Sequence, residues 1–505
     1  MRRNGTTMND NETKSRLLLL MAMALGVVVG WVTAPRVVGT TPAYGPLTKD
    51  MACLAQAIAE NYVDTLPLDT LNTLLIGNVL RTLDPHSHYL PPSEVKGYEE
   101  KGRGRFCGIG VALLAVGDSL YVSEVFHRSP AQLAGIRPGD CLVAVGDSMV
   151  GGHLLHPDMQ RVVDMIRGPR GTTVRLAVKR YGSETPLTFH VGRNGIFTPS
   201  VPAAIMMGQD MGYVRIESFT QTTAMEFRRA LLRLKGEGMG HLVVDLRGNG
   251  GGSMAAAVGV ADQLLPEGSL IVVTQGAHRK RRCLYAAANG AWEEGALTLL
   301  VDQYSASGSE IVAGAIQDND RGRLVGRRTF GKGLVQETLG MPDGGLLLLT
   351  TQRYYTPSGR CIQRPYATAS FSADTSRVYY TRKGRRVYGG GGIMPDRVLP
   401  LEVDGETEYL AMLTRNRLLS NCAIKYVHRY YDSLIQRYPT LDAFRQGFVV
   451  GNALANLPQP PNADVKAIVC NRYKAMVAQS LYGGDAYTQC VIGYDKDIKK
   501  IVADK

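Results

Sequence analysis

Two short segments of the chain carry residue types that can together cleave an amide bond. One is Tyr304-Ser-Ala-Ser-Gly-Ser-Glu-Ile311, which contains Ser307, and the other is Thr329-Phe-Gly-Lys-Gly-Leu-Val-Gln336, which contains Lys332. A serine hydroxyl attacks a carbonyl at neutral pH only when a neighbouring group accepts its proton, and a lysine accepts it only when its surroundings keep the amine neutral. The two segments therefore predict a serine nucleophile that is activated by a lysine.

The residues around Lys332 favour a neutral amine. Glycines flank the lysine on both sides, at positions 331 and 333, and allow the backbone to pack closely. Gln336, four residues further on, could hydrogen-bond the amine without adding a charge. The apolar surroundings would come from Phe330, Leu334 and Val335.

Several motifs between about Asp84 and Asp396 resemble those of one family and occur in its order. The chain is similar to the C-terminal processing peptidases, or tail-specific proteases, which are Ser-Lys endopeptidases that carry a PDZ domain. Besides the two segments above, the resemblance rests on Asp84-Pro-His-Ser-His-Tyr-Leu90, Gly108-Ile-Gly-Val111, Asp245-Leu-Arg-Gly-Asn-Gly-Gly-Gly252, Thr351-Gln-Arg-Tyr-Tyr-Thr-Pro-Ser-Gly-Arg-Cys-Ile-Gln363 and Gly391-Gly-Ile-Met-Pro-Asp396.

The resemblance implies a role for each residue of the predicted dyad. Ser305, Ser307 and Ser309 all qualify as nucleophile on composition, and only Ser307 matches the middle serine of the family's SASASE run. Lys332 would be the general base, and Gln336 would orient it. The small residues of this serine-containing run could equally be an ordinary N-terminal cap of a helix. Lys332 could equally be an exposed lysine, which is the commonest kind.

The same resemblance implies an oxyanion hole made of two backbone N–H groups. Gly308, which replaces the family's alanine, would supply one from the start of a helix. Gly251, in the turn that resembles the DLRxNxGG motif, would supply the other, with Gly252 as the alternative. Gly250 stands where the family usually has a proline, and a phosphate-binding glycine loop is disfavoured because no GK[ST] follows.

A second departure from the family lies close to the lysine. Arg327 and Arg328 replace the usual acidic residue and proline. Guanidinium groups that approach Lys332 would favour its neutral form further.

Residues 97–195 are predicted to form a PDZ domain. Gly108, Ile109, Gly110 and Val111 resemble its carboxylate-binding loop, which would bind the C-terminus of a protein or peptide as an added strand. The apolar side chains of residues 159–166 could line the groove and select an apolar C-terminal residue, or they could belong to the domain core. Both interpretations are open.

Alternating strands and helices after Arg193 predict an α/β core with mostly parallel strands. The resemblance implies a crotonase-like ββα spiral with an inserted, β-rich α+β PDZ domain. We expect an N-terminal helical segment at 41–96, the PDZ domain at 97–195, the protease core at 196–400 and a mostly helical C-terminal region at 401–505. The role of that last region is open between packing on the core and dimerisation.

The composition excludes some functions. A net charge of +12 comes from scattered basic residues with no nucleic-acid motif, so an anionic envelope or membrane surface explains it better than nucleic acid, with plain solubility as the alternative. The eight cysteines include no CxxC pair, and the two nearby histidines of the Asp84 motif have no third ligand close in sequence, so we expect no metal or other cofactor. A disulfide among Cys422, Cys470 and Cys490 and free thiols throughout are both open.

The N-terminus predicts export. Residues 17–34 form an uncharged apolar run after Lys14 and Arg16. Val32-Thr-Ala34 resembles a signal-peptide cleavage site, but Pro35 disfavours cleavage, so an uncleaved membrane anchor at 1–40 is favoured. We expect the remainder to lie in the periplasm, at the outer side of the inner membrane.

The leading hypothesis is therefore an exported, ATP-independent serine endopeptidase that binds protein C-termini. A membrane-anchored PDZ scaffold with an inactive peptidase core is the alternative. A histidine-based PDZ protease is disfavoured because no segment resembles a Ser-His-Asp motif. The sequence leaves open whether the PDZ domain activates or inhibits the core and whether the chain forms a homo-oligomer.

Overall fold

The computed structural model describes residues 36–37, 45–63, 67–150, 158–287, 289–366, 374–400 and 405–503. The predicted anchor or signal peptide at 17–34 lies outside the described residues. Within the described part of the chain, each helix is too short or too polar to cross a membrane. The chain divides into two units, one of Met1–Lys96 with Gln336–Thr351 and the other of Gly97–Val335 with Gln352–Lys505.

The first unit contains the predicted N-terminal helices. They run over Gly45–Asn61 and Leu68–Leu83, and the second ends at Asp84. The Asp84 carboxylate accepts hydrogen bonds from His86 N at 2.8 Å and Ser87 N at 2.7 Å, which fixes the turn that follows. The strand His88–Leu90 then pairs antiparallel with Leu346–Leu348. The strand Arg36–Val37 runs parallel to residues 339–340 of Leu334–Gly340.

The second unit begins with the PDZ domain, which is entered at the end of the helix Pro92–Arg103. Its described sheet is antiparallel and six-stranded, and five of the strands lie in the order Val111–Val116, Ser119–Val125, Cys141–Val145, Thr173–Lys179 and Leu187–Gly192. Ser148–Met149 pairs with the third strand. The helices Pro130–Leu133 and Met159–Ile166 complete the domain. Arg105–Gly108 pairs antiparallel with Asn194–Phe197, so the chain enters and leaves through one two-stranded ribbon.

The segment predicted to be the protease core contains a six-stranded sheet, and the predicted α/β class with mostly parallel strands is confirmed. The first pair is antiparallel and every later pair is parallel. The strand order is Ala203–Met207, Met211–Arg215, His241–Asp245, Ala296–Val301, Arg323–Gly326 and Arg397–Val398. Both faces of the sheet are covered, which explains why its central strands are apolar at nearly every position.

Three helices cover one face of this sheet. They are Thr223–Gly236, Met254–Asp262 and Gly308–Asp318, and their apolar side chains form one buried cluster with alternate sheet residues such as Leu242 and Val244. Val243 points to the other face, where it packs with Ile498 and Ile501 of the last helix.

A second set of strands lies beside the helices. Leu270–Gly276 pairs antiparallel with Arg279–Tyr285 and with residues 353–355 of the strand Leu346–Tyr355. Asp374–Tyr380 and Arg386–Gly389 form a separate antiparallel pair.

The C-terminal region is helical, as predicted, and it packs on both other domains of the second unit. Its helices are Gly405–Arg415, Leu418–Arg437, Leu441–Gly447, Ala463–Tyr482, Ala486–Val491 and Lys496–Ala503, with a 3₁₀ turn at Ile492–Tyr494. The long helices share a hydrophobic cluster with Val116 of the PDZ sheet, and the last helix packs on the core sheet. All eight cysteines, each within the described residues, are free thiols.

Candidate active site

The predicted nucleophile lies on a strained turn between a buried strand and a helix. Ser307 follows the strand Ala296–Val301 and immediately precedes Gly308–Asp318, which we call the nucleophile helix. Its φ of 54° is in the left-handed region, which a residue with a side chain rarely adopts. Ser307 is partly exposed, whereas every residue of the nucleophile helix is buried. The turn therefore presents one serine at a helix N-terminus.

The two competing serines have structural roles. Both are fully buried. Ser305 Oγ donates to Leu246 O at 2.8 Å, and Ser309 Oγ donates to Asn249 O at 2.9 Å. Because both hydroxyls stabilise backbone carbonyls inside the protein, Ser307 is the serine of this run that a substrate can reach.

A buried carboxylate joins residues 302–307, which we call the nucleophile turn, to residues 329–333, which we call the lysine loop. Ser307 N and Lys332 N each donate to Oε2 of Glu310 at 2.9 Å. Gly331 N donates to Oε1 at 2.7 Å, and Thr329 Oγ1 donates to the same oxygen at 2.6 Å. The backbone nitrogens of the predicted nucleophile and base therefore lie within two hydrogen-bond lengths of each other.

Glu310 is fully buried, and its protonation reflects two opposing effects. Burial raises the pKa of its carboxyl above the usual value, while the hydrogen bonds it accepts act in the other direction. Thr329 Oγ1 accepts from Ile393 N at 2.7 Å, so its own proton is free to point at Glu310. Each of the four groups around the carboxyl is a donor, which is the arrangement that stabilises a buried carboxylate.

The lysine loop is packed tightly, as its glycines predicted. A Cβ on Gly331, whose φ is 91°, would lie 2.9 Å from Gly392 N and 3.1 Å from Arg364 Cβ, so only glycine fits. Phe330 N donates to Ser305 O at 3.0 Å, which ties this loop to the nucleophile turn a second time. Lys332 itself is half-buried.

The glycine-rich turn also lies against Ser307. A Cβ on Gly251 would lie 2.7 Å from Ser307 Cβ and 2.9 Å from Gly308 N. Asn249 holds the turn in place, since its carbonyl accepts from Ala306 N at 2.9 Å and its Nδ2 donates to Ile216 O at 2.9 Å. The structure thus brings Gly251 and Gly308 together beside the nucleophile.

The N–H of Gly251 has a partner inside the turn. It donates to Asn249 Oδ1 at 2.8 Å. For Gly251 to act as an oxyanion donor, this bond would have to be shared or released, and Gly252 is the next amide along the turn. Gly308 N–H belongs to the first residue of a helix, which has no acceptor within that helix. An oxyanion hole formed by the N–H groups of Gly251 and Gly308 therefore stays a prediction. Gly308 is the better placed of the two donors.

Gln336 belongs to the first unit of the chain, unlike Ser307 and Lys332. Its Nε2 donates to His86 O at 2.5 Å, which is also in the first unit. Its role in orienting Lys332 stays a prediction.

In the PDZ domain, the predicted carboxylate loop joins two strands. Gly108 ends one strand, Ile109 and Gly110 form the connection, and Val111 begins the next. Among the described residues, the strand Val111–Val116 is the first in its sheet and pairs with one strand, Ser119–Val125, so binding of an added strand at its other edge stays a prediction.

The apolar stripe of the helix Met159–Ile166 is mostly core. Val162 and Ile166 are buried together with Ile109 in the centre of the domain. Of the two interpretations left open, the core one holds for these three residues. Val111 and Val163 are only half-buried and remain available to line a groove.

Sequence reasoning missed residues that build the site. Glu310 carries a recognisable signal, because Ser307-x-x-Glu310 is a helix-capping pattern. Tyr354 lies in a family motif to which no chemistry was assigned, and its buried hydroxyl donates to Ser307 O at 3.2 Å. Burial raises the pKa of Tyr354 well above its usual value, so it acts as a neutral donor.

Arg327 does not act as a free cation beside Lys332. Its guanidinium donates to both carboxylate oxygens of Asp497, at 3.1 and 3.3 Å. The positive charge that was expected to act on the lysine is therefore paired with the carboxylate of Asp497, which lies 170 positions away in the chain.

Comparison with known proteins agrees with these features. A sequence model described as peptidase family S41 matches residues 210–373, and a PDZ domain model matches residues 121–180. The carboxy-terminal-processing protease of Bartonella bacilliformis is 33% identical over 293 residues, which cover 57% of this chain and 66% of that protein. Carboxy-terminal processing protease CtpB of Bacillus subtilis is 30% identical over 315 residues, which cover 61% of this chain and 64% of that protein.

The chain thus spans less than two thirds of the length of these relatives.

Among solved structures, the photosystem II D1 C-terminal processing protease matches with 26% identity and a TM-score of 0.35, covering 71% of this chain and 94% of the other. Both domain models and the names of the relatives agree with the residues described above. Residues 210–373 match peptidase family S41, residues 121–180 match a PDZ domain, and the chain is similar to carboxy-terminal processing proteases.

Proposed function

We propose that the chain is a serine endopeptidase in which Ser307 is the nucleophile and Lys332 the general base. The observation that carries the proposal is the shared acceptor, Oε2 of Glu310, which holds the backbone of both residues. A backbone fixed at both residues would limit the movement that their side chains need in order to meet. Such prior positioning is a large part of what an enzyme contributes to a covalent mechanism.

The chemistry follows from these residues. Lys332 Nζ accepts the proton of Ser307 Oγ while the oxygen attacks the peptide carbonyl carbon. The negative charge on the carbonyl oxygen is stabilised by Gly308 N–H and by Gly251 or Gly252. The C–N bond then breaks as Lys332 returns the proton to the leaving amine. Water, deprotonated by Lys332, then attacks the ester carbonyl carbon, the bond between that carbon and Ser307 Oγ breaks, and Lys332 returns the proton to Ser307 Oγ. Gln336 would orient the lysine.

The PDZ domain supports the choice of substrate. An edge strand beside a glycine-containing loop fits an extended chain with a free carboxylate. The relatives are named for processing carboxy termini. We take proteins and peptides with accessible, apolar C-termini as the substrate class.

The remaining parts of the proposal rest on sequence. The basic flank and apolar run at 1–40 support export and a membrane anchor, with the enzyme in the periplasm. The resemblance supports a crotonase-like spiral for the core. A PDZ scaffold with an inactive core is not favoured, because the match to a peptidase family covers the segment that contains Ser307 and Lys332.

Alanine substitutions test the dyad. Ser307→Ala and Lys332→Ala should each abolish cleavage of a peptide with an apolar C-terminus, whereas Lys235→Ala, which changes an exposed lysine on a core helix, should leave turnover unchanged. Wild-type turnover by either dyad variant would refute the mechanism. Loss of activity in Lys235→Ala would show that the assay reports folding instead.

A further inference from the structure

Two carboxylates near the C-terminus reach into the protease core. Asp497 lies in the first turn of the last helix, Lys496–Ala503, and Asp495 immediately precedes that helix. Between them they contact the guanidinium groups of Arg247 and Arg327. Each of these arginines belongs to a loop that carries part of the candidate active site.

Arg247 begins the glycine-rich turn that contains Gly251. Its Nη2 donates to Asp495 Oδ2 at 2.8 Å, and its Nη1 donates to Asp497 Oδ2 at 3.0 Å. It also donates to Asp245, which is fully buried at the end of a central strand. Arg247 therefore connects the sheet, the glycine turn and the C-terminal helix.

Arg327 lies at the other active-site loop. It follows the strand Arg323–Gly326 and precedes the lysine loop by one residue. Its Nη1 donates to Asp497 Oδ2 at 3.1 Å. This is the oxygen that also accepts from Arg247, so one carboxylate oxygen joins two cations from two active-site loops.

The carboxylates are themselves held firmly. Asp495 Oδ1 accepts from Asp497 N at 2.9 Å and from Ile498 N at 3.1 Å, which caps the helix. Ile498 and Ile501 are buried against the core sheet. The Asp497 side chain is only 10% exposed, and those of Arg247 and Arg327 are 16% and 20% exposed. Contacts among groups this well shielded are weakened little by solvent.

We infer that Asp497, assisted by Asp495, is a positioning residue that fixes the glycine turn and the lysine loop relative to each other. The inference rests on the proposed function, since it concerns the geometry of that same site. Without the carboxylate, Arg327 would lose the acceptor that it shares with Arg247, whereas Arg247 would stay paired with Asp245 and Asp495. The connection between the loops that carry Gly251 and Lys332 would then be lost, and the partly buried Arg327 would lose this acidic partner. The last helix, Lys496–Ala503, thereby helps to position the two loops of the candidate active site.

Kinetics distinguish positioning from general stabilisation. Asp497→Asn should lower kcat about tenfold and change KM by less than about twofold, because the defect lies in the arrangement of reacting groups and not in the PDZ domain. Asp497→Glu, which keeps the charge, should recover part of that loss. Asp442→Asn is the matched control, since it breaks an exposed carboxylate–arginine pair inside the same C-terminal region. It should leave kcat unchanged.

A double-mutant cycle tests the route of the effect. Arg327→Gln alone should lower kcat. The Asp497→Asn/Arg327→Gln double variant should have a kcat no lower than that of the more impaired single variant, because both substitutions remove the same interaction between Asp497 and Arg327. Additive losses would contradict the inference, and so would wild-type kcat in Asp497→Asn.

Hydrogen exchange gives a readout that does not depend on turnover. In Asp497→Asn, amides in residues 247–253 and 327–333 should exchange faster than in wild type, while the remaining helices of the C-terminal region keep their rates. Unchanged exchange in both loops would overturn the inference even if the wild-type protein proved inactive. An inactive wild type would itself refute the proposed function, so the two failures are distinguishable.

Discussion

Ser307 and Lys332 donate through their backbone nitrogens to one oxygen atom, Oε2 of Glu310. The lysine that is to activate the serine is thus positioned by the same carboxylate that holds the strained turn of the serine. The pair is separated by 25 positions in the chain, and it is joined by one residue of the nucleophile helix.

Replacing Glu310 by glutamine should impair both activity and stability. An amide offers one acceptor oxygen, so in either orientation its NH₂ would face two donors. We expect a loss of kcat/KM of at least about 100-fold and a destabilisation of about 2–4 kcal/mol. Glu237→Gln, which changes an exposed residue paired with Arg233, should do neither. Peptide turnover measures the effect on kcat/KM, and denaturant unfolding measures the effect on stability. Full activity of Glu310→Gln would contradict a role for Glu310 in connecting Ser307 and Lys332.

Adding one methyl group to the glycine turn should have different effects on activity at two neighbouring glycines. In Gly251→Ala the new Cβ would collide with the nucleophile turn at a φ of 99°, so we expect activity to fall by more than about tenfold. Gly250→Ala adds the same group where no atom lies within 4 Å, and it should retain activity. Equal activities in the two variants would show that the turn is not packed against Ser307 in solution.

Acid should remove the contribution of Asp495 to stability. Burial raises the pKa of its carboxyl, but the hydrogen bonds and charge of Arg247 lower it more, and the net pKa lies below the usual value. A lowered pKa in the folded state stabilises the protein above the unfolded-state pKa of about 3.9, and this contribution is lost as the pH falls through the folded-state value.

Urea midpoints of wild type and Asp495→Asn should therefore differ more at pH 6 than at pH 3. A difference that is the same at both pH values would mean that the Asp495 carboxylate is not stabilised by folding.

The PDZ loop predicts a preference for a free carboxylate. A peptide with an apolar C-terminal residue should be cleaved with a lower KM than the same peptide ended by an amide, because backbone N–H groups bind the negatively charged terminus. The kcat values should be similar, since the terminus lies away from the cleaved bond. Steady-state kinetics on the matched pair decide the matter, and equal KM values would argue against recognition through Gly108–Val111.

Local patterns predicted the elements that position the site. The helix Met159–Ile166 and the start of the nucleophile helix agree with the sequence to within a residue, because apolar spacing and small capping residues act locally. The choice of Ser307 came from the resemblance. The structure adds its physical basis, namely that the hydroxyls of Ser305 and Ser309 are buried on backbone carbonyls.

The contacts between distant segments could not be predicted in this way. Asp497 lies 170 positions from Arg327, and nothing in the local pattern of either residue indicates the other. The same holds for Tyr354 and the carbonyl of Ser307. Such contacts depend on how whole helices and strands pack, whereas periodicity reports only which face of an element is buried.

The most direct test of the account is to map where a serine-reactive fluorophosphonate attaches to the full chain. Mass spectrometry should find the adduct on Ser307 alone, with labelling of Lys332→Ala slowed by at least about 100-fold because the serine loses its base. An adduct on another serine, or labelling of Lys332→Ala at the wild-type rate, would contradict a nucleophile activated by lysine.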